Sequence, residues 1–462
     1  MASISSLGQT AEDYLNIGNV QFSQQNYVRA VECYTQAIAL DSAFAVAYYN
    51  RGISQERLDK FPEAVADFTR SLALNPSYAN AFYNRGYSYA KLNKPDLAVS
   101  DFTRSIYLDP SLTAAYFLRG KAYDGLKKYN EAIADFSKVL LAEPTNGDAF
   151  YTRGNEYRLT QKYDEAISDY TKAISLNPKY SEAFGNRGLC FAALNKYDQA
   201  ISDYTSAVSM NGNDANTYIN RGNTYDILKT YEKAIADYDA AIALDPLNAV
   251  IYCSRGNTMT RMRNYGKAIL DFSQALTLNP NYAYAYSGLA LAYDKLKRYD
   301  EAISDYTKAI AISPDNEYFY GGRGRVYAKL KKYDAAVSDF LKTISLNPEN
   351  ASPYDNLGYT LLGKKDYQNA EWNFKKCISR DGKNFDAMLG IAIAYYNLGN
   401  LEQAKIAMLY ATGVEPRLAE GMVGIEKVEE EGYFYSEEDK QDLKKIFQIM
   451  GKIAGPSAWP AE

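Results

Sequence analysis

The sequence predicts an all-α solenoid, in which short helices stack side by side along the chain. Three observations predict this fold class. The 462-residue chain repeats itself every 34 residues, marker residues recur on that period, and the apolar residues within each period have the spacing of two amphipathic helices. A period of this length is typical of repeat proteins whose units bury their apolar faces against their neighbours. The sequence therefore predicts one extended array.

Three residue types mark the period. A small residue, usually glycine, occupies position 8 of the repeat, alanine occupies position 20, and proline occupies position 32 in most repeats. The alanine series runs without a break from Ala30 to Ala404, which predicts twelve repeats over residues 11–418. Nothing else in the sequence is as specific.

Each repeat contains two helix-like faces. At about 100° per residue, positions 4, 7, 8 and 11 share one face of a first helix, and positions 17, 20, 24 and 27 share one face of a second. The small residues at positions 8 and 20 allow the helices to approach closely, and aromatic residues fill the space around them. Most of the 44 tyrosines fall on these core positions. A turn is expected near positions 14–18, as at Leu126–Glu131.

A representative stretch is A-F-Y-N-R-G-Y-S-Y-A-K-L-N-K at Ala81–Lys94. It resembles the tetratricopeptide repeat family, and the resemblance covers about 408 residues. The resemblance implies a right-handed superhelix of helix-turn-helix repeats whose first helices line a concave groove. It also implies that the chain binds other proteins.

Composition excludes several function classes. The chain has no histidine, which excludes histidine-based catalysis and most zinc or copper sites. The net charge of −5 argues against a general nucleic-acid binder. No apolar run is long enough to span a membrane, and the first ten residues lack a secretory signal. We therefore expect a soluble cytoplasmic protein without catalytic residues, cofactors or metal ligands, with four reduced cysteines, Cys33, Cys190, Cys253 and Cys377.

Position 7, usually leucine in the family, is arginine in eight repeats: Arg51, Arg85, Arg119, Arg153, Arg187, Arg221, Arg255 and Arg323. The same eight repeats carry aspartate at position 23. Repeats 1, 11 and 12 lack both residues, and repeat 9 has Leu289 opposite Asp305. Because an unpaired guanidinium on the core face would be costly, we predict an Arg–Asp ladder that joins the two helices of a repeat. A row of anion-binding arginines is the weaker alternative.

Positions 5 and 6 are expected to line the groove. Large rings occupy position 5 in repeats 2 to 5, and smaller residues follow in several later repeats. Exposed rings would favour partner binding, although packing between neighbouring first helices explains them equally well. The predicted anchors are Tyr49, Tyr83, Phe117 and Tyr151.

Asparagine recurs at position 6. An amide both donates to and accepts from a peptide backbone, so such a row suits an extended ligand. Superhelical members of the family use asparagines in this way, although asparagine is also simply common at this position. Position 5 is never lysine or arginine, which argues against the family's clamp for acidic chaperone tails. The predicted backbone-binding residues are Asn50, Asn84, Asn186 and Asn220.

The ends of the chain depart from the period. Residues 1–10 are predicted to be an extension that ends in a capping box at Thr10, residues 419–454 to be capping helices, and residues 455–462 to be a flexible tail. Ser436 is expected to begin a helix with an apolar stripe from Leu443 to Ile453. Its expected role is to cover the last repeat, and a homodimer contact through this helix is the alternative.

These observations predict a scaffold or adaptor that binds an extended peptide or a partner helix in the groove. One alternative is a regulatory module that positions or inhibits a single enzyme. A nucleic-acid-binding helical repeat protein is a weaker third reading. The identity of the partner is not encoded in any motif of the sequence.

Overall fold

The computed structural model describes residues 9–430 and 435–450, and all regular secondary structure in these ranges is helical. The predicted fold class, an all-α solenoid of helix-turn-helix repeats, is confirmed. Two helices occupy each of the twelve 34-residue repeats. The chain divides into two compact units, unit 1 up to Leu228 and unit 2 from Lys229 onward.

Unit 1 contains thirteen of the described helices. Within a repeat the two helices pack on each other, and the second helix also packs on the first helix of the next repeat. The helices are α1 (Ala11–Ser23), α2 (Tyr27–Leu40), α3 (Ala45–Glu56), α4 (Phe61–Leu74), α5 (Ala79–Lys91), α6 (Pro95–Leu108), α7 (Thr113–Gly125), α8 (Tyr129–Ala142), α9 (Gly147–Leu159), α10 (Tyr163–Leu176), α11 (Ser181–Ala193), α12 (Tyr197–Met210) and α13 (Ala215–Ile227).

Unit 2 continues the same packing order. Its helices are α14 (Tyr231–Leu244), α15 (Ala249–Arg261), α16 (Tyr265–Leu278), α17 (Ala283–Lys295), α18 (Tyr299–Ile312), α19 (Glu317–Lys329), α20 (Tyr333–Leu346), α21 (Ser352–Gly363), α22 (Tyr367–Arg380), α23 (Phe385–Asn397), α24 (Leu401–Val414), α25 (Met422–Glu430) and α26 (Glu437–Met450), with a 3-10 helix (Pro416–Glu420) between α24 and α25.

Helix boundaries follow the local signals. The predicted capping box forms at Thr10, whose hydroxyl accepts a hydrogen bond from the Asp13 amide at 3.2 Å while the Asp13 carboxylate accepts one from the Thr10 amide at 2.8 Å. Within most repeats the chain reverses between the helices through one residue with a positive φ, for example Lys127 at 58°. The turn predicted at Leu126–Glu131 is shorter than expected: residues 126–128 connect α7 to α8, and Tyr129 already begins α8.

Close approach of the two helices explains the small residue at position 8. A Cβ atom added to Gly18 would lie 2.5 Å from the ring of Tyr34, and one added to Gly52 would lie 2.7 Å from the ring of Phe68. These rings occupy position 24 of the same repeats and are almost completely buried. Glycine is thus required for the ring to pack against the first helix.

The predicted Arg–Asp ladder is confirmed. In each of the seven described pairs, the arginine donates from Nε and Nη2 to the two carboxylate oxygens of its aspartate, as in Arg153–Asp169, at 2.7 and 2.8 Å. The arginines are half-buried and the aspartates are buried. The described pairs are Arg51–Asp67, Arg85–Asp101, Arg119–Asp135, Arg153–Asp169, Arg187–Asp203, Arg255–Asp271 and Arg323–Asp339.

The ladder also joins neighbouring repeats, which the sequence did not predict. The third nitrogen, Nη1, donates to position 25 of the preceding repeat, as from Arg153 to the Ser137 hydroxyl at 3.0 Å. The acceptor is a threonine or serine hydroxyl in most repeats and the carboxylate of Asp239 for Arg255. Each arginine therefore cross-links three helices.

Repeat 9 keeps the acceptors of the ladder but lacks the arginine. Leu289 stands at position 7, Ser273 and Asp305 occupy the acceptor positions, and a cavity of about 510 Å³ lies between them. The Asp305 carboxylate is buried and accepts instead from Lys308 on its own helix, at 2.9 Å. The space that a guanidinium fills in other repeats is thus open in unit 2.

We expect Leu289→Arg to stabilise unit 2 by about 1 kcal/mol, because the new guanidinium would find two acceptors already in place. Leu357→Arg is the matched control, since repeat 11 offers Asn373 and Leu341 at the acceptor positions. This control should be destabilising. Chemical denaturation of both variants would test the expectation, and equal destabilisation by the two would contradict it.

The C-terminal helices cover the last repeat of unit 2. Helix α26 packs on α23 and α24, and its Leu443 and Ile446 side chains are fully buried. The predicted cap at Ser436 forms, because its hydroxyl accepts from the Asp439 amide at 3.1 Å. Within the region 419–454 predicted to form capping helices, the 3-10 helix extends to Glu420 and α25 begins at Met422. The predicted tail at 455–462, Ile453, and the predicted extension up to residue 8 lie outside the described residues.

Candidate functional site

Two neighbouring cavities open on the surface that the first helices of repeats 4 to 7 form in unit 1. They measure about 540 and about 500 Å³ and share Tyr151 and Asn186 as lining residues. We call this surface the Tyr151 groove. Its first cavity is lined by Lys121, Asp124, Phe136, Tyr151, Thr152, Asn155, Glu156, Arg158, Leu159 and Asn186. Its second is lined by Tyr151, Ser181, Glu182, Gly185, Asn186, Leu189, Ala207, Asn211, Asn213, Asp214, Asn216, Thr217 and Asn220.

The second cavity exists because position 5 of repeat 6 is glycine. Position 5 carries a ring in repeats 2 to 5, whereas Gly185 leaves that volume empty. An added Cβ at Gly185 would meet only the Thr217 hydroxyl oxygen, at 3.6 Å, which is an ordinary van der Waals contact. The change from large to small residues along position 5, noted in the sequence, thus coincides with an opening in the surface.

The four predicted ring anchors are half-buried. Each packs against the ring at position 24 of its own repeat, with centroid separations of 5.6–5.9 Å. Tyr49 and Tyr151 also pack on Tyr78 and Tyr180, the last residues of their repeats, at 4.5 and 4.6 Å. Each ring is thus packed on a core ring and is only partly accessible. Burial raises the pKa of the Tyr49 and Tyr83 hydroxyls.

Three of the four predicted asparagines, Asn50, Asn84 and Asn186, are engaged within the protein through their Nδ2 atoms. Asn84 donates to the Tyr49 hydroxyl at 3.0 Å, and Asn186 donates to the Tyr151 hydroxyl at 3.2 Å. Each bond links one repeat to the preceding one. In the same way Asn50 donates to Asn19 at 2.9 Å. Asn220 lines the second cavity of the groove.

Asparagines at position 9 add internal hydrogen bonds to this row of amides. Asn155 accepts from the Tyr170 hydroxyl at 2.8 Å and from Asn186 at 2.9 Å. The same arrangement recurs at Asn19, which accepts from Tyr34 at 2.9 Å. The signal in the sequence is the asparagine at position 9 together with a tyrosine rather than phenylalanine at position 24. Such bonds hold the Asn186 amide in a fixed orientation, with its carbonyl oxygen still able to accept.

The structure brings together three of the eight predicted residues in the Tyr151 groove, namely Tyr151, Asn186 and Asn220. The other five, Tyr49, Tyr83, Phe117, Asn50 and Asn84, lie on the first helices of repeats 2 to 4. They do not line either cavity of the groove. The groove can present amide oxygens, carboxylates and one ring to an extended ligand.

Neither a metal cluster nor a membrane span is found in the part of the chain that the structure describes. No group of three or more cysteine, aspartate or glutamate side chains there is placed to hold a metal ion. No described helix combines the length and apolarity that crossing a bilayer requires. The four cysteines are buried and unpaired.

Comparison with sequence families gives matches along most of the chain. Models described as "Tetratricopeptide repeat" or "TPR repeat" match residues 18–59, 45–78, 79–112, 113–146, 147–180, 169–202, 215–248, 249–282, 283–316, 318–350 and 361–409. Among curated proteins, small glutamine-rich tetratricopeptide repeat-containing protein beta of rat, mouse and human is 46% identical over 48 residues. This match spans 10% of this chain and 16% of those proteins.

Solved structures resemble parts or most of the chain. The crystal structure of YrrB, described as a TPR protein with an unusual peptide-binding site, is 28% identical, with a TM-score of 0.36 over 39% of this chain and 92% of YrrB. Yeast Tom70 is 17% identical, with a TM-score of 0.42 over 91% of this chain and 95% of Tom70. Cut9-Hcn1 of the APC/C is 16% identical, with a TM-score of 0.40 over 95% of this chain and 94% of that chain. At these TM-scores the likenesses carry no information about ligands.

Proposed function

Because the chain belongs to the tetratricopeptide repeat family, whose members mediate protein–protein interactions, we propose that it is a scaffold or adaptor that binds an extended peptide or a partner helix on the first-helix surface. The Tyr151 groove carries this proposal. It combines two open cavities, the half-buried ring of Tyr151 that lines both, and the oriented amide of Asn186. These are the features that recognise a peptide backbone and one or two of its side chains.

The proposal includes a protein without catalytic activity, in the cytoplasm. The absence of histidine and the four buried, unpaired thiols support these two parts. A homodimer through α26 is the less favoured partner, because the apolar residues Leu443 and Ile446 are already buried within unit 2. Tyr49, Tyr83, Phe117, Asn50 and Asn84 would extend the binding surface toward the N-terminus.

We expect Gly185→Tyr to reduce partner capture at least tenfold, because its ring would fill the second cavity. The fold should survive, since the added Cβ has only an ordinary contact. Gly266→Tyr is the matched control, because position 266 lies on a second helix of unit 2 with no atom near the new Cβ. Affinity capture from the native cell with mass spectrometry, together with circular dichroism, would measure binding and fold.

Two results would contradict the proposal. Undiminished capture by Gly185→Tyr would place the partner elsewhere, and equal loss with Gly266→Tyr would show that the effect is nonspecific. A Tyr83→Ala/Phe117→Ala variant tests the N-terminal extension of the site separately. Enrichment of one enzyme by the wild type would favour a regulatory module, whereas several unrelated partners would favour a general scaffold.

A further inference from the structure

Glu156 breaks the pattern of its position in the repeat. Position 10 of the first helix is buried in repeats 2 to 7 and is occupied there, apart from Glu156, by small or uncharged residues such as Ser54, Ser88 and Cys190. Glu156 is also buried, with only 3% of its surface exposed, and it lines the first cavity of the Tyr151 groove. Its Oε2 atom has no hydrogen-bond partner. A carboxylate in this state is costly unless a ligand satisfies it.

A second carboxylate faces the same cavity. Asp124, on α7 of the preceding repeat, lines it and acts electrostatically on Glu156. Burial first and then Asp124 raise the pKa of Glu156 to about 7, and Arg158 opposes them. Neither carboxylate belongs to an ion pair among the described residues. Glu156 therefore holds a proton near neutral pH that a cation could displace.

The charged groups around Glu156 come from several helices. Lys121 on α7 lies with its ammonium 4.9 Å from the centre of the Phe117 ring, and Arg158 is on α9 itself. Tyr170 from α10 and Cys190 from α11 are buried, which raises the pKa of both groups, that of Cys190 to about 12. Glu156 is consequently the group in this cluster that is expected to titrate between about pH 6 and 8.

The balance of charge across the Tyr151 groove is negative. The first cavity is lined by two acids, Asp124 and Glu156, and two cations, Lys121 and Arg158, and the second cavity adds the carboxylates of Glu182 and Asp214 without a cation. A ligand with a positive side chain is complementary to this surface, whereas an acidic one is repelled.

A purely structural acid would be satisfied internally, and unit 1 contains such a residue for comparison. Glu56, on the first helix of repeat 2, also has a pKa raised to about 7 by burial. Its carboxylate accepts a hydrogen bond from the Ser88 hydroxyl at 2.6 Å. Glu156 has the same chemistry and burial-shifted titration but lacks an equivalent donor to Oε2, and it borders a cavity.

We propose that the cavity at Glu156 and Asp124 binds the cationic side chain, lysine or arginine, of the peptide that occupies the Tyr151 groove. This inference rests on the proposed function and specifies its ligand. The cation would enter beside Tyr151, ion-pair with Glu156 and Asp124, and leave the peptide backbone within reach of Asn155 and Asn186.

The test uses the full chain and three pools of short peptides with blocked termini. The pools share the same randomised flanking residues and differ in the central residue, which is lysine, norleucine or glutamate. In fluorescence anisotropy we expect the lysine pool to bind most tightly. Glu156→Gln should lower the ratio of the affinities for the lysine and norleucine pools at least tenfold. Glu56→Gln is the matched control and should leave the preference unchanged.

The dependence on pH supplies a second readout. A bound cation favours the ionised carboxylate, so affinity for the lysine pool should rise by about tenfold between pH 6 and 8 and then level off. Affinity for the norleucine pool should stay nearly constant, and Glu156→Gln should flatten the lysine profile. A neutral structural glutamic acid would give no such difference between the pools.

The outcomes separate this inference from the proposed function. Equal binding of all three pools, a preference for glutamate, or a lysine preference that survives Glu156→Gln would each overturn the cation pocket while leaving a peptide groove intact. Absence of binding by every pool, together with undiminished partner capture by Gly185→Tyr, would overturn both.

Discussion

Replacing Arg153 by alanine is expected to lower the free energy of unfolding of unit 1 by about 3 kcal/mol. The substitution leaves Asp169 with 6% of its side chain exposed and without its two charge-assisted hydrogen bonds. It also removes the bond to Ser137 in the preceding repeat. Equilibrium denaturation followed by circular dichroism would measure the loss.

The pH dependence should identify the cause of that loss. Burial raises the pKa of Asp169, and the hydrogen bonds and charge of Arg153 act in the opposite direction. Without Arg153 the folded protein binds a proton more tightly than the unfolded chain does. The deficit relative to wild type should therefore be small in acid and grow as pH rises above the ordinary aspartate value.

Two further variants serve as controls. Arg153→Leu/Asp169→Asn copies repeat 11, which has Leu357 and Asn373 at these positions, and it should recover much of the stability because no unpaired charge remains. Arg29→Ala removes a surface arginine that pairs with Glu32 and should change stability very little. Strictly additive losses in the Arg153/Asp169 cycle would refute the coupling.

Truncating the buried face of α26 is expected to have the largest effect in unit 2. Leu443→Ala/Ile446→Ala removes two fully buried side chains that pack against the last repeat, which should cost about 5 kcal/mol. The loss should extend to α23 because Tyr435, just before α26, donates to Asp386 at 2.7 Å. Denaturation and hydrogen exchange of the α23 amides would report it.

The control lies on the same helix. Lys444 is exposed between the two truncated residues, and Lys444→Ala should leave both measurements unchanged. If the double variant lost α26 while the α23 amides kept their protection, α26 would be an appendage and not the cap of unit 2.

Local chemistry explains how much of the fold the sequence predicts. The glycine at position 8 and the Arg–Asp pair each make a contact within one repeat, and because that contact recurs every 34 residues, comparison of the repeats is enough to predict it. The bond from Arg153 to Ser137 was missed because its acceptor lies 16 residues upstream, in another repeat. The division into two compact units had no marker in the period.

The candidate site was predictable only in part. Position 5 changes from large to small residues along the chain, and Gly185, the first small residue after the rings, lines a cavity. The internal partners of Asn84 and Asn186 could not be foreseen, because tyrosine hydroxyls of the preceding repeat supply them. Glu156 was not predicted to belong to the site. In the sequence it is a single acid at a core position, and only the structure shows the cavity that it lines.

The arginine at position 7 binds acceptors in its own repeat and in the one before it, so the ladder limits which repeats can be duplicated or deleted. Each repeat from 2 to 6 brings its own donor and leaves a hydroxyl for whichever repeat follows. Gene recombination that duplicates or deletes 34 residues in this region therefore creates a junction with no broken pair. Repeat 9 has no arginine at position 7, so it is not interchangeable with these repeats. A copy of it inserted elsewhere would again lack the donor of the ladder.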